Sequence, residues 1–255
     1  MTGTRQGGSP APTVWEMPRS NPSLSRSEIH LWRIPLARQP DKVRQCAELL
    51  SPDERERMAR FRFDVHRERF ALRRGALRTI LGRYLGLAPK QVRFRYSAKG
   101  KPEIESVPAA ASLKFNLSDS EDLAILGVTP DADIGVDVEQ RRPARDLDAL
   151  ARRYFSEREQ AEYFSLPEAQ RVEGFYNCWT RKEALLKATG EGITVDLKGF
   201  DVTLAPGRPA ELLEMRSPPG EAGMWRLYAV EPRRGFAAAV AVQSRSLRLR
   251  PIDHG

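Results

Sequence analysis

Three carboxylates and one lysine stand out from the 255 residues of this chain, because their spacing could bring them together. In Gly135-Val136-Asp137-Val138-Glu139, an extended backbone puts Asp137 and Glu139 on one face and Ile134, Val136 and Val138 on the other. In Trp179-Thr180-Arg181-Lys182-Glu183-Ala184-Leu185-Leu186-Lys187, a helical backbone puts Glu183 and Lys187 one turn apart on a shared row, with Trp179 a turn earlier. If the strand face meets the helix face, the outcome is an oxygen-rich pocket for a hard divalent cation with an ammonium beside it. That is a site for a metal-bound phosphate. Magnesium takes one or two carboxylates, several waters and substrate phosphate oxygens, and Asp137, Glu139 and Glu183 suit that set. The bland alternatives are a solvated strand face and a surface i,i+4 pair contributing about 0.2–0.5 kcal/mol. Against them, the run from Asp119 to Glu139 holds seven acidic and no basic residues, and clustered carboxylates are costly without a cation.

Other chemistries find little support. His30, His66 and His254 are scattered, and there is no GxSxG, Walker loop or GxGxxG. Cys46 and Cys178 are too few for a disulfide framework. Lys99 and Lys101, paired around Gly100 and ahead of Pro102, could present ammonium groups to a phosphate from a stiff turn.

The net charge of +8 is unevenly placed, with 15 Lys and Arg against 5 Asp and Glu from Ser51 to Lys101. A basic surface beside an acidic pocket suits a polyanion held partly by cationic side chains and partly through a metal. No apolar run approaches the roughly 18 residues of a membrane helix, and the N-terminus lacks a secretory apolar segment. A cytoplasmic chain with no membrane partner is expected.

The elements that must position these residues follow from local pattern. Residues 1–27 are rich in Gly, Pro, Ser and Thr and are expected to be a flexible tail. A strand near Glu28–Trp32 is followed by a helix opened by the capping box Ser51-Pro52-Asp53-Glu54. A long helix over about His66–Leu85 ends at Gly86. Strands are expected near Val92–Tyr96, Leu113–Leu117, Leu123–Val128 and Ile134–Val138. Phe155-Ser156-Glu157-Arg158-Glu159 then echoes Leu50-Ser51-Pro52-Asp53-Glu54, and a second long helix, about Gly174–Thr189, ends at Gly190. The offsets, 156 − 51 = 105 and 190 − 86 = 104, suggest two similar α+β halves, 28–130 and 131–245, with a ligand cleft between them and a short tail over 246–255. Further strands are expected near Phe200–Leu204, Trp225–Val230 and Phe236–Val242.

Taken together, these residues resemble the Sfp-type 4′-phosphopantetheinyl transferases, which move the phosphopantetheine arm of coenzyme A onto a serine of a carrier protein. The resemblance rests on Gly135-Val136-Asp137-Val138-Glu139, Phe155-Ser156-Glu157-Arg158-Glu159, Trp179-Thr180-Arg181-Lys182-Glu183 with Lys187, Lys99-Gly100-Lys101-Pro102 and Phe115-Asn116-Leu117-Ser118. It implies a pseudo-twofold α+β fold with coenzyme A between the halves and an acidic acyl, peptidyl or aryl carrier protein as partner. By similarity, Asp137, Glu139 and Glu183 would hold magnesium or manganese against the pyrophosphate. Lys187 would contact phosphate oxygens, while Lys99, Lys101, Ser118 and an arginine such as Arg69 would hold the nucleotide end. Glu183 or a metal-bound water would deprotonate the carrier serine. Where the family often has histidine after Asn116-Leu117-Ser118, this chain has Asp119, which puts one phosphate contact in question. A monomer is expected, since the halves already supply both sides of the cleft. The competing class is a non-catalytic basic protein that binds nucleic acid through its arginine-rich helix, although no zinc finger, helix-turn-helix or aromatic-interleaved basic platform accompanies it.

Overall fold

A computed structural model describes residues 13–18, 21–98, 100–105, 113–190, 196–216, 220–244 and 246–255. Lys99 lies outside the described residues. In chain order the elements are β1 (Glu28–Pro35), α1 (Pro40–Glu48), α2 (Pro52–Ala59), α3 (Asp64–Leu85), β2 (Phe94–Tyr96), β3 (Pro102–Ile104), β4 (Leu113–Ser120), β5 (Leu123–Pro130) and β6 (Ile134–Gln140). Then follow α4 (Leu147–Tyr154), α5 (Glu157–Ser165), α6 (Glu168–Thr189), β7 (Phe200–Val202), β8 (Leu212–Met215), β9 (Arg226–Val230), β10 (Phe236–Val242) and β11 (Arg248–Asp253).

Two sheets form the centre, one ordered β11-β1-β5-β4 and the other β6-β10-β9. Side-chain alternation along the strands fills three apolar layers. Ile29, Leu31 and Ile125 meet Val136, Val138 and Val240 between the sheets. On the outer face of the first sheet, Leu77, Ile80 and Leu81 of α3 pack on Trp32, Phe115 and Leu126. On the outer face of the second, Phe175, Cys178 and Leu185 of α6 pack with Ala239 and Ala241. The fold is α+β, and each sheet carries one long helix.

The echo in the sequence has a physical basis. Both long helices run 22 residues and stop at a glycine in the left-handed region, Gly86 at φ 65° and Gly190 at φ 68°. Each is preceded by a short helix whose capping glutamate also reaches into the core. The backbone N–H of Ser51 donates to Glu54 at 3.1 Å, and that of Ser156 to Glu159 at 2.9 Å. Glu54 accepts from Arg74 and Arg78 of α3, at 2.6 and 2.7 Å. Glu159 pairs with Lys182 of α6 at 2.8 Å. The equivalent pairs keep the offsets, 159 − 54 = 105 and 182 − 78 = 104, so each half locks its short helix to its long one by a buried ion pair.

The segment 246–255, expected to be a tail, is corrected by the structure. Arg248–Asp253 forms β11, parallel to β1 from Glu28↔Arg248 to Arg33↔Asp253. Ile252 is buried there and Leu249 packs on the core, while Arg248 and Arg250 are exposed on an edge strand that also carries Pro251. The first sheet thus draws on both ends of the chain. Within the segment expected to be a flexible N-terminal tail, Glu16 bridges to Ile252, and Arg33 lies over the Trp15 ring. Helices α1 and α4 are additional to the elements expected from the sequence. Among the described residues no helix is long and apolar enough to cross a membrane.

Candidate active site

The site lies where β4, the edge of the first sheet, runs beside β6, the edge of the second. Side chains at every second residue of β4 close this seam. Asn116 Oδ1 accepts the Val136 N–H at 2.9 Å, the Ser118 hydroxyl donates to Asp137 Oδ1 at 3.0 Å, and the Ser120 hydroxyl donates to Glu139 Oε2 at 2.9 Å. Strand period thus aligns three small polar residues with the Asp137–Glu139 face.

That face meets α6 as its spacing implies, and Gly135 is what allows it. A Cβ at Gly135 would lie 2.0 Å from the Ala184 carbonyl oxygen and 2.3 Å from the Ala188 nitrogen, both backbone atoms. On β10, Ala241, Ala239 and Ala237 pair with Gly135, Asp137 and Glu139, which keeps the neighbouring row small. Gly135→Ala is therefore expected to destabilise the chain by about 1–3 kcal/mol or more through overpacking. It should also push Lys187 away from Asp137, so melting temperature and transferase activity would fall together; an unchanged melt would contradict the close approach.

Asp137 is 3 % exposed. Its Oδ1 accepts from Lys187 Nζ at 2.6 Å as well as from Ser118, while its Oδ2 is buried with no hydrogen-bond partner among the described residues. Lys187 also donates to Ser118 Oγ at 2.9 Å. Burial raises the Asp137 carboxyl above the ordinary range, outweighing the lysine and serine. Glu139 and Glu183, both half-buried, are raised by burial and then by the negative charge of Asp137. Glu183 forms no salt bridge among the described residues. These carboxylates are thus short of positive charge, and Lys187 is the ammonium that partly offsets it. Among the described residues, no three His, Cys, Asp or Glu side chains converge closely enough to hold a metal ion by themselves.

Glu183 and Lys187 also line a cleft of about 640 Å³, whose other walls include Lys101, Leu117, Tyr154 and Leu197. Lys101 borders this cleft, but its ammonium donates to the carbonyls of Lys187 at 2.6 Å, Ile134 at 3.2 Å and Ala188 at 3.3 Å. It thereby caps the C-terminus of α6 and ties it to the start of β6. Ser118 is likewise engaged with Asp137 and Lys187.

Asp119, on the opposite face of β4, pairs with Arg73 of α3. Its neighbour Glu121 accepts from Arg69 at 3.3 Å and from Arg142 at 2.9 Å. Arg69 thus reaches the end of β4 through Glu121, in a group with Arg73 and Arg142 that spacing alone does not single out. Lys182 lies within a motif tied to phosphate chemistry, yet it is 1 % exposed and faces away, donating to the Leu197 and Phe200 carbonyls as well as pairing with Glu159.

Comparison with known proteins decides the family. Residues 133–241 match the family model described as the 4′-phosphopantetheinyl transferase superfamily, and residues 37–131 match 4′-phosphopantetheinyl transferase, N-terminal. The 4′-phosphopantetheinyl transferase HetI of Nostoc is 43 % identical over 229 residues, which cover 90 % of this chain and 93 % of HetI. The chain belongs to the 4′-phosphopantetheinyl transferases. Among other relatives, psf-1 of Bacillus pumilus is 33 % identical over 192 residues, covering 75 % of this chain and 78 % of that protein. Sfp of Bacillus subtilis is 30 % identical over 155 residues, covering 61 % and 66 %. The two family matches meet at the junction of β5 and β6, beside the seam that carries the carboxylates.

Proposed function

We propose that this transferase moves the 4′-phosphopantetheine group of coenzyme A to a serine of an acidic acyl or peptidyl carrier protein, assisted by magnesium or manganese. The observation that carries this reading is the buried Asp137 carboxylate, with one oxygen on Lys187 and the other without a partner, next to two further carboxylates of raised pKa. The donors suit a hard divalent cation. That the protein alone does not close a three-ligand cage fits an ion completed by water and substrate phosphate oxygens.

In this reading Asp137, Glu139 and Glu183 would hold the cation together with water and substrate oxygens, and the cation would supply positive charge to the pyrophosphate. Lys187, which reaches Asp137 at 2.6 Å, would hold phosphate oxygens beside that carboxylate. Glu183, free of ion pairs and raised by burial, accepts the proton of the carrier serine. The serine Oγ–phosphorus bond forms at the β-phosphorus, the bond to the α-phosphate oxygen breaks, and 3′,5′-ADP leaves with the electron pair. Catalysis here is positioning and charge stabilisation. The part-apolar cleft beside Glu183 and Lys187 suits the pantetheine arm. Arg69 and Arg73, which reach from α3 to Glu121 and Asp119 at the end of β4, suit the nucleotide phosphates. The exposed Arg55, Arg57, Arg60 and Arg62, beside the exposed Phe63 and Val65, offer a basic face with an apolar centre to an acidic carrier protein.

The metal reading is tested by stability against pH. A carboxyl raised in the folded chain binds more protons folded than unfolded, so its effect is destabilising once it must ionise. Without a divalent cation, melting temperature is therefore expected to fall as pH rises from the ordinary carboxylate range through the raised values of Asp137, Glu139 and Glu183. Magnesium should restore it at neutral pH, and Glu139→Gln should flatten both responses. A melt indifferent to magnesium at every pH would count against the cation.

A further inference from the structure

Helix α6 carries two buried cations side by side, and only one has an ion-pair partner among the described residues. Lys182 has Glu159. Arg181, 2 % exposed, forms no salt bridge among the described residues; one Nη donates to the Thr203 carbonyl and hydroxyl, and its Nε is buried without a partner. Burial lowers its pKa to about 10, outweighing the opposing pull of Cys178, Glu162 and Glu173, while the charge of nearby Arg208 pushes it down. A buried charge is ordinarily paired. The fold does not need a cation here, because the position 104 residues earlier in the other half (181 − 104 = 77) is Leu77, fully buried and apolar.

Arg181 lines a cavity of about 490 Å³ together with Thr180, Asn177, Arg141 and Arg208. Arg141 likewise has a buried Nε without a partner, and its guanidinium meets Glu231 at 3.3 Å. Arg208 meets Glu162 at 3.5 Å and keeps an exposed side. Glu173 and Glu231 are the acids of the lining, against three arginines. We propose that this cavity, between the first half of α6, the 206–208 turn and β9–β10, binds a small oxyanion such as a phosphate or carboxylate, held by Arg181 with Arg208 and Arg141. The site is separate from the cleft of Glu183 and Lys187, since the two cavities share no lining residue. Guanidinium forks hold such anions by paired, charge-assisted hydrogen bonds.

The test is thermal unfolding of the full chain in inorganic phosphate, in acetate and in chloride at matched ionic strength. Phosphate or acetate should raise the melting temperature above chloride, and whichever acts more strongly identifies the anion. Lys187→Ala should keep that shift. Arg181→Leu should weaken apparent binding by about tenfold or more and should melt higher than wild type in chloride, since an unneutralised buried charge is gone. Arg208→Gln, on the surface, should weaken the shift without unfolding the chain. The proposal is overturned if wild type shows no anion-specific shift, if Arg208→Gln and Arg181→Leu both retain it, or if Lys187→Ala abolishes it and so assigns the anion to the transferase cleft.

Discussion

Glu183→Gln is expected to lower the rate of phosphopantetheine transfer by about 10²–10⁴-fold, the range for loss of a positioned proton acceptor. The substitution keeps shape and helix propensity while removing the charge. Glu183 sits on the α6 face that Gly135 admits against β6, its carboxyl raised by burial and by Asp137. Because that raised pKa costs stability at neutral pH, the variant should melt at or above the wild-type temperature. Loss of activity with gain of stability separates a functional carboxylate from a structural one. If Glu183 and Lys187 were only a surface pair, the variant would lose a few tenths of a kcal/mol and almost no activity. Single-turnover transfer beside a thermal melt distinguishes the two; activity within about threefold of wild type, well short of the proton-acceptor range, would remove Glu183 from the chemistry.

The opposite profile is expected at Glu159, the partner of the neighbouring Lys182. Glu159→Ala leaves the Lys182 ammonium buried against two carbonyls, and strips the Val202 and Ser156 N–H groups of an acceptor at 2.8 and 2.9 Å. Breaking such a pair from one side costs about 3–5 kcal/mol, a large part of the 5–15 kcal/mol that holds a typical domain. Denaturant titration should show that loss, while chain that remains folded still binds coenzyme A. Replacing both partners, Glu159→Met with Lys182→Met, should recover most of it, because the penalty lies in the unpaired charge. A single-variant loss below about 1 kcal/mol, well under the buried-pair range, would mean that water reaches the pair.

These two residues also show what a sequence can and cannot display. The faces were legible. Period two placed Asp137 with Glu139, period 3.6 placed Glu183 with Lys187, and the repeated capping boxes and terminal glycines announced two related halves. Partners were not legible, because facing surfaces are chosen by tertiary packing. Nothing local tells that Lys182 turns inward to Glu159, that Lys101 caps α6 through three carbonyls, or that Asp119 pairs with Arg73 forty-six residues away. The strand at 248–253 was hidden for a related reason. Its arginines and Pro251 look like a solvated tail until β1 is present to pair with it.

Intact-mass spectrometry of an apo carrier protein incubated with this chain, coenzyme A and magnesium, with and without chelator, reads the transfer itself. A gain of one phosphopantetheine group on the carrier serine is expected, lost on chelation and in Asp137→Ala, with 3′,5′-ADP released in equal amount. A carrier that gains the group equally well with chelator present, or from the Asp137→Ala protein, would contradict the assignment of the seam between β4 and β6 as the catalytic site.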